Sequence, residues 1–368
     1  MQWSPQQDRA LLAIKRWLAD PHGPQIFRVF GFAGTGKTTL AKQIAADVDG
    51  RVLFMCFTGK AALVLSRKGC SPSSTIHSAI YKPDEDIITG ETIFKLNPDS
   101  DVAYARLVIV DEVGMVGEEL GKDLVSYGTR ILVLGDPAQL PPIDGAGYFT
   151  DCEPDVMLTE IHRQAAESPI IRMSMDVREG RALELGTWGD SKVITRDQLE
   201  REEVLAADQV LVGRNRTRQA FNARIRQLKG YEGERPVFGD RLVCLKNNRT
   251  KGLLNGSLWE PLRFKEDGNP KRVKMTVKSL DDPKVFLPVD VETPIEFFRG
   301  TEADLEWFEK KHADQFTFGW ALTGHKAQGS QWDYVFVFDE SAVFRENAAR
   351  WLYTALTRAA ERVTIVKT

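Results

Sequence analysis

The segment Gly31-Phe-Ala-Gly34-Thr35-Gly36-Lys37-Thr38 constrains this chain more than any other. It fits the pattern G-x-x-x-x-G-K-[ST], a loop that cradles phosphate. An apolar, strand-like run (Ile26 to Phe30) precedes it and a helix-like run (Thr39 to Val48) follows. Glycines let successive backbone N–H groups converge on a phosphate, and the helix N-terminus adds its positive dipole end. In that setting Gly34, Thr35, Gly36 and Thr39 line the loop. Lys37 reaches the β- and γ-phosphates, and the Thr38 hydroxyl holds Mg²⁺. A nucleoside triphosphate is therefore the expected ligand.

The bulk numbers exclude several classes. The chain has 368 residues, 42% hydrophobic and 27% charged, enough for two or three domains with cores of their own. No apolar run approaches the ~20 residues that span a bilayer. The first residues, Met1-Gln-Trp-Ser-Pro, lack the basic and apolar regions of a signal peptide. The four cysteines, Cys56, Cys70, Cys152 and Cys244, are far apart and form no C-x-x-C. That argues against a zinc site or disulfide framework and for a reducing cytosol. The net charge of −3 neither supports nor excludes a nucleic-acid partner.

Residues 1–165 read as an α/β unit, with strand candidates at 26–30, 52–57, 107–110 and 131–134 and helix candidates at 39–48 and 60–68. Such alternation predicts a parallel sheet with ligands at the carboxyl ends of its strands. A polar insert at 78–103 contains a candidate hairpin: Asp86-Ile-Ile-Thr, a turn at Gly90-Glu91, then Thr92-Ile-Phe-Lys-Leu96. A second α/β unit, 166–368, has strand candidates at 209–213, 241–245, 334–338 and 362–366. Within it, 251–313 changes texture. Arg272-Val-Lys-Met-Thr-Val-Lys alternates as a half-buried strand does, and Lys284 to Glu292 is a second strand candidate. The expected insert there is small and β-rich.

Leu107-Val-Ile-Val-Asp111-Glu112 is an apolar strand ending in two carboxylates, in the position expected of the strand beside the phosphate loop. Asp111 is assigned to Mg²⁺ and Glu112 to polarising the attacking water as general base. In Gly135-Asp136-Pro-Ala-Gln139-Leu-Pro-Pro142 the prolines rigidify a turn that holds Gln139 where an amide senses a γ-phosphate.

With these motifs in their order, the chain resembles the superfamily 1 helicases of the 5′-to-3′ branch, RecD- and Dda-like, from about Ser4 to Val366. The resemblance implies two RecA-like domains with parallel sheets flanked by helices, a pin insert at 78–103 and an SH3-like insert at 251–313. It implies an ATP- and Mg²⁺-dependent enzyme that moves 5′ to 3′ on single-stranded DNA and separates duplex. The alternative is a DNA-stimulated ATPase that remodels protein–DNA complexes with little unwinding. Single-stranded DNA and single/double-strand junctions are the implied partners, with replication or single-strand-binding proteins and no membrane. A bacterial cytosol is the implied location, and the compact length hints at a phage or accessory enzyme. A guanine-binding N-K-x-D motif is missing.

Residue by residue, Ser4-Pro-Gln-Gln7 resembles the leading glutamine motif. Gln7 is assigned to reading adenine, with Gln6 as the alternative and a solvated amide as the structural reading. Phe57-Thr58-Gly-Lys60 resembles the motif that grips single-stranded DNA, with Phe57 where relatives have proline. Phe57 either stacks on a base or ends a strand in the core. Thr75-Ile-His77 is similar to the next DNA motif. Gly114 replaces the serine of the commoner D-E-x-S-M. Arg163, in Ile161-His-Arg163-Gln164, is implied to face the γ-phosphate, with His162 near the adenine. Thr323-Gly-His325-Lys326-Ala-Gln-Gly-Ser330 resembles the second domain's DNA grip, with Gln331 where relatives carry Glu. Tyr353 to Ala359 resembles the last motif, whose arginine, Arg358, is implied to be the second finger on ATP, the alternative being a surface arginine on a helix. Arg214 to Lys229 carries six basic residues and no acid. Phe221, Ile225 and Leu228 read as its core stripe, and the charges face either DNA or solvent.

Overall fold

In the computed structural model, residues 3–85, 92–142, 147–161, 167–248, 250–265, 268–282 and 287–367 are described. The chain forms two compact units, Met1–Ala182 and Leu183–Thr368. The helix Pro169–Arg178 therefore belongs to the first unit, not the second.

The described residues of the first unit form eight strands: β1 Ile26–Gly31, β2 Val52–Cys56, β3 Ser73–Thr75, β4 Tyr81–Glu85, β5 Thr92–Leu96, β6 Leu107–Val110, β7 Ile131–Gly135 and β8 Val156–Leu158. Six form one sheet in the order β3-β2-β6-β7-β1-β8, with every pairing parallel. β6 and β7 are buried along their whole length. Continuous Val, Ile and Leu runs suit strands covered on both faces. One face packs Leu107, Ile109, Leu132 and Leu134 under the helices Pro5–Ala19, Lys37–Asp47 and Gly59–Arg67. Val108, Val110, Ile131 and Val133 line the other with Ile76, Ile80 and Leu124. The order corrects one expectation: β7, not β6, lies beside β1, so the Asp111 strand is separated from the phosphate-loop strand by β7.

β4 and β5 form an antiparallel hairpin with Tyr81 opposite Leu96 and Glu85 opposite Thr92. Its first strand thus precedes Asp86-Ile-Ile-Thr; that segment and the Gly90-Glu91 turn lie outside the described residues. Tyr127 clamps the root, its hydroxyl within hydrogen-bond distance of both the Ile80 and Asn97 carbonyls, at 3.0 and 2.7 Å. Tyr81 donates to Asp123.

In the second unit lie β9 Gly186–Trp188, β10 Ser191–Ile194, β11 Gln209–Val212, β12 Leu242–Cys244, β13 Leu258–Lys265, β14 Arg272–Ser279, β15 Val289–Pro294, β16 Phe316–Phe318, β17 Ala321–Thr323, β18 Trp332–Asp339 and β19 Ala359–Lys367. One sheet runs β17-β11-β18-β19-β10-β9, parallel except for β9 against β10. The other, β15-β14-β13-β12-β16, is antiparallel throughout. The 241–245 candidate therefore sits in the antiparallel sheet, not the parallel one. Leu242 is paired to Trp259 on one side and Phe318 on the other. β14 alternates half-buried and buried residues as its sequence predicts. β15 starts at Val289, five residues later than expected from the Lys284 run, of which 283–286 are not described.

Candidate functional site

In the first unit the carboxyl ends of the parallel strands gather the motifs, as open α/β sheets do with ligand-binding loops. β1 runs into the phosphate loop. Gly34 and Gly36 have φ of 81° and 79°, a left-handed backbone that side chains disfavour. A Cβ on Gly31 would lie 2.7 Å from the Thr35 hydroxyl and 2.9 Å from Leu158. The Lys37–Asp47 helix starts at the loop's end, with Thr38 and Thr39 in its first turn. Lys37 folds back over the loop, its Nζ donating to the Gly31 and Phe32 carbonyls at 2.7 and 3.0 Å. The ammonium is thus held among the loop's own oxygens, the type of partner that phosphate oxygens supply.

Thr38 Oγ1 donates to Asp111 Oδ2 at 3.2 Å. Asp111 Oδ1 accepts the Glu112 N–H at 2.9 Å. Asp111 is buried, and burial first, then the Glu112 charge, push its carboxyl up against the opposing pull of Lys37. A hydroxyl and a buried, under-compensated carboxylate in contact suit the oxygen-ligand chemistry of Mg²⁺. Glu112 itself has φ 56° and ψ 46°. A left-handed non-glycine residue is strained by ~1–3 kcal/mol, and such strain concentrates at functional sites. Gln139 follows β7, half-buried, with its N–H on the Asp136 carbonyl at 3.1 Å.

Both glutamines of the leading motif are hydrogen-bonded. Gln7 is buried at 2% exposure. Its Nε2 donates to the Thr35 carbonyl at 3.0 Å and its Oε1 accepts the Ser4 N–H at 3.1 Å. Ser4 Oγ accepts the Gln7 N–H in return, completing a capping box. Gln7 thereby ties the first helix to the phosphate loop. Gln6 Oε1 accepts the Thr159 and Glu160 N–H groups at 2.7 and 2.8 Å. The S-x-x-Q spacing carried this capping signal in the sequence.

Thr58 caps the Gly59–Arg67 helix by accepting the Ala61 N–H at 3.2 Å, and Phe57 before it is exposed. That exposure excludes the core reading of Phe57. Lys60, expected on the DNA-facing surface, is buried at 4% exposure because the capped first turn faces the interior. Thr75 caps the next helix by accepting the Ser78 N–H at 3.0 Å. His77 is exposed and packs against the hairpin, with ring centroids 4.8 Å from Tyr81 and 4.6 Å from Phe94. Arg163 and His162 lie outside the described residues.

In the second unit β17 ends at Thr323, whose hydroxyl accepts the Lys326 N–H at 3.3 Å. His325 and Lys326 follow, both half-buried. Burial pulls the His325 imidazole down. Burial and the nearby Arg218 charge pull Lys326 down. Arg218 is a neighbour the sequence could not assign, being 108 positions away in the basic helix Asn215–Leu228. In that helix Arg226 is buried against Asp240 at 3.0 Å and is no DNA ligand, whereas Arg224 is exposed. Arg358 is also buried, its guanidinium donating to the Thr354 and Ser330 carbonyls at 3.0 and 3.3 Å. No helix among the described residues is long and apolar enough to cross a membrane. No group of three or more His, Cys, Asp or Glu that could hold a metal ion occurs among the described residues.

A family described as "AAA domain" matches residues 3–197, and "UvrD-like helicase C-terminal domain" matches 318–366. The ATP-dependent RecD2 DNA helicase of Deinococcus radiodurans is 31% identical over 92% of this chain and 46% of its own length. The ATP-dependent DNA helicase dda of Enterobacteria phage T4 is 32% identical over 45% of this chain and 39% of its own. The chain thus spans less than half the length of these relatives. Among solved structures, Bacteroides Pif1 bound to single-stranded DNA is similar with a TM-score of 0.59 at 18% identity, covering 99% of this chain and 92% of that one. A structure of two Pif1 helicases at forked duplex DNA gives 0.62, also at 18% identity, with the same coverage. These likenesses concern the fold: two RecA-like α/β domains.

Proposed function

This chain belongs to the AAA-domain family and, within it, to the RecD/Dda-like 5′-to-3′ branch of the superfamily 1 helicases, and from that premise we propose that it is an ATP-driven motor that moves 5′ to 3′ on single-stranded DNA and opens duplex DNA. The observation that carries the reading is the meeting of Thr38 with Asp111, beside the glycine loop and Lys37, at the ends of β1 and β6. Gly34, Thr35, Gly36, Lys37, Thr38 and Thr39 bind the triphosphate. Thr38 and Asp111 would hold Mg²⁺, which when bound would supply charge neutralisation at the phosphates. Glu112, whose backbone is left-handed, accepts the proton of the attacking water. Gln139 orients that water or senses the γ-phosphate, and Arg163 and Arg358 supply the positive charge that the transition state gathers.

Phe57, Thr58, Thr75 and His77 in the first unit, and Thr323, His325 and Lys326 in the second, contact the strand. Exposed Phe57 suits stacking on a base, and Thr58 and Thr75 sit at helix N-termini, where N–H groups suit phosphates. The hairpin, with Phe94 exposed beside His77, is the element that meets a single/double-strand junction. A motor that remodels protein–DNA complexes with little unwinding is the second reading. It would share every ATP residue, and truncating the hairpin separates the two.

The deciding experiment is ATP hydrolysis by the wild type and Lys37→Ala, with and without single-stranded DNA. Strong stimulation by DNA is expected. Lys37→Ala should lose it by at least about 10²-fold, the scale of removing one charge-stabilising donor. Hydrolysis indifferent to DNA, or unchanged in the variant, overturns the motor.

A further inference from the structure

The arginine assigned to the nucleotide is docked on the DNA grip of its own unit. Arg358 is 6% exposed. Its Nε donates to the Thr354 carbonyl at 3.0 Å, Nη1 to the Ser330 carbonyl at 3.3 Å and Nη2 to Thr357 Oγ1 at 3.2 Å. Ser330 is the last residue of the Thr323–Ser330 motif, its own N–H on the Ala327 carbonyl at 3.0 Å. All three acceptors of Arg358 are neutral, and no described carboxylate forms an ion pair with it. A buried cation without a counter-charge retains most of its desolvation cost, so neutral acceptors hold it weakly against any anion that can reach it.

The start of the motif rests on the same segment of chain. Gly324 lies so close to Trp351 that a Cβ would be 2.7 Å from the indole Nε1. Trp351 is fully buried and its N–H has no acceptor. Phe344 stacks on Trp351 at 5.5 Å and 8°, and the His325 ring lies 5.5 Å from Phe344. Beside Phe344, Arg345 is strained at φ 49°. Residues 344–358 therefore touch the motif at both ends. One contact leaves a cation without an anion, the other a donor without an acceptor. Buried polar groups are normally satisfied, so two such deficits along one seam mark a packing poised against a second arrangement.

We propose that Ser330 and Thr357 are the resting dock of Arg358, and that Arg358 leaves this dock for the nucleotide's phosphate, changing the grip of Thr323–Ser330 on DNA as it goes. The inference rests on the functional reading of Arg358 and of this motif. It adds two positioning residues to that reading, and one consequence that an arginine acting solely on ATP lacks: Arg358 sets DNA affinity before any nucleotide binds. Linkage then requires that DNA and nucleotide shift each other's affinity by the same factor.

The test is the affinity of a fluorescent oligothymidylate, by anisotropy, for the wild type, Arg358→Ala and Thr357→Val without nucleotide, and for the wild type with a non-hydrolysable ATP analogue. Arg358→Ala should shift the nucleotide-free Kd at least about fivefold, in the direction in which the analogue shifts the wild type. The analogue should then have no further effect on Arg358→Ala. Thr357→Val, which keeps the guanidinium, should shift Kd the same way by less. If Arg358→Ala proves unfolded by circular dichroism, Thr357→Val decides alone. Nucleotide-free affinities equal to the wild type's overturn the dock and leave the motor standing. A wild type that binds no single-stranded DNA overturns both.

Discussion

What faces the missing Cβ decides the cost of a side chain at two glycines in this chain. At Gly121 a Cβ would lie 2.2 Å from Tyr148 Cδ1 and 2.8 Å from its Cβ, at the rigid root of the ring. Helix propensity favours alanine there by ~1 kcal/mol, but overpacking costs ~1–3 kcal/mol and wins. Gly121→Ala should lower the urea midpoint accordingly. At Gly114 the nearest atom is the Leu140 carbonyl at 3.7 Å, ordinary contact. Gly114→Ser, which restores the commoner family residue, should stay within about 0.5 kcal/mol. Equal losses at both sites would refute the packing argument. His325 gives a pH signature. Its folded-state pKa is depressed by burial below the ordinary 6.5. On acidification the unfolded chain takes up the proton first, so stability is lost as pH falls below about 6.5. In thermal melts His325→Gln should flatten that part of the profile; an unchanged slope would refute it.

Among elements, the Asn215–Leu228 helix is instructive because its charges split. Arg226 and Asp240 have side chains 5% and 0% exposed. Asp240 also accepts the Val237 N–H at 2.9 Å and the Trp320 indole at 3.1 Å. Arg226 spends its other nitrogens on the Gly233 and Arg235 carbonyls, and its guanidinium lies 4.1 Å from the Phe318 ring. Removing Asp240 strands a buried cation and two further donors. Asp240→Ala should cost ~3–5 kcal/mol in urea unfolding, and exposed Arg224→Ala about 0.5 or less. A small loss at Asp240 would mean the pair is dispensable. From the sequence the six basic residues were equivalent, since nothing in a charge run says which member meets an acid fourteen positions downstream.

Across the whole chain, the cysteines report on unit integrity. Cys56, Cys70 and Cys244 are buried and Cys152 is exposed. Burial pushes the Cys56 thiol far up, Cys70 to about 11 and Cys244 to about 12. An aromatic disulfide reagent near pH 8 should therefore modify one thiol per chain quickly, and the rest only as the units open. Cys152→Ser should abolish the fast phase. Fast reaction of two or more thiols in the wild type would show that a core is loose. Cys56 and Cys70 lie in the first unit's core and Cys244 in the antiparallel sheet, so the slow phases read the units separately.

The sequence by itself determined the local motifs. The glycine loop, the Leu107–Glu112 strand with its acids, the proline-framed Gln139 and the Thr323–Ser330 motif are each encoded within about eight consecutive residues. Apolar runs at 26–30, 107–110 and 131–134 likewise announced buried strands, and the alternation of 272–278 a half-buried one. Tertiary structure decided the partners. It put β7 between β1 and β6 while still bringing Thr38 to Asp111, gave 241–245 to the antiparallel sheet, and turned Gln7 and Lys60 inward. It also set Arg358 on Ser330, 28 positions away. Backbone conformation and burial preference are properties of a short window, whereas strand order, hydrogen-bond partners and the counter-charge of a buried cation depend on which distant segments the packed core brings together.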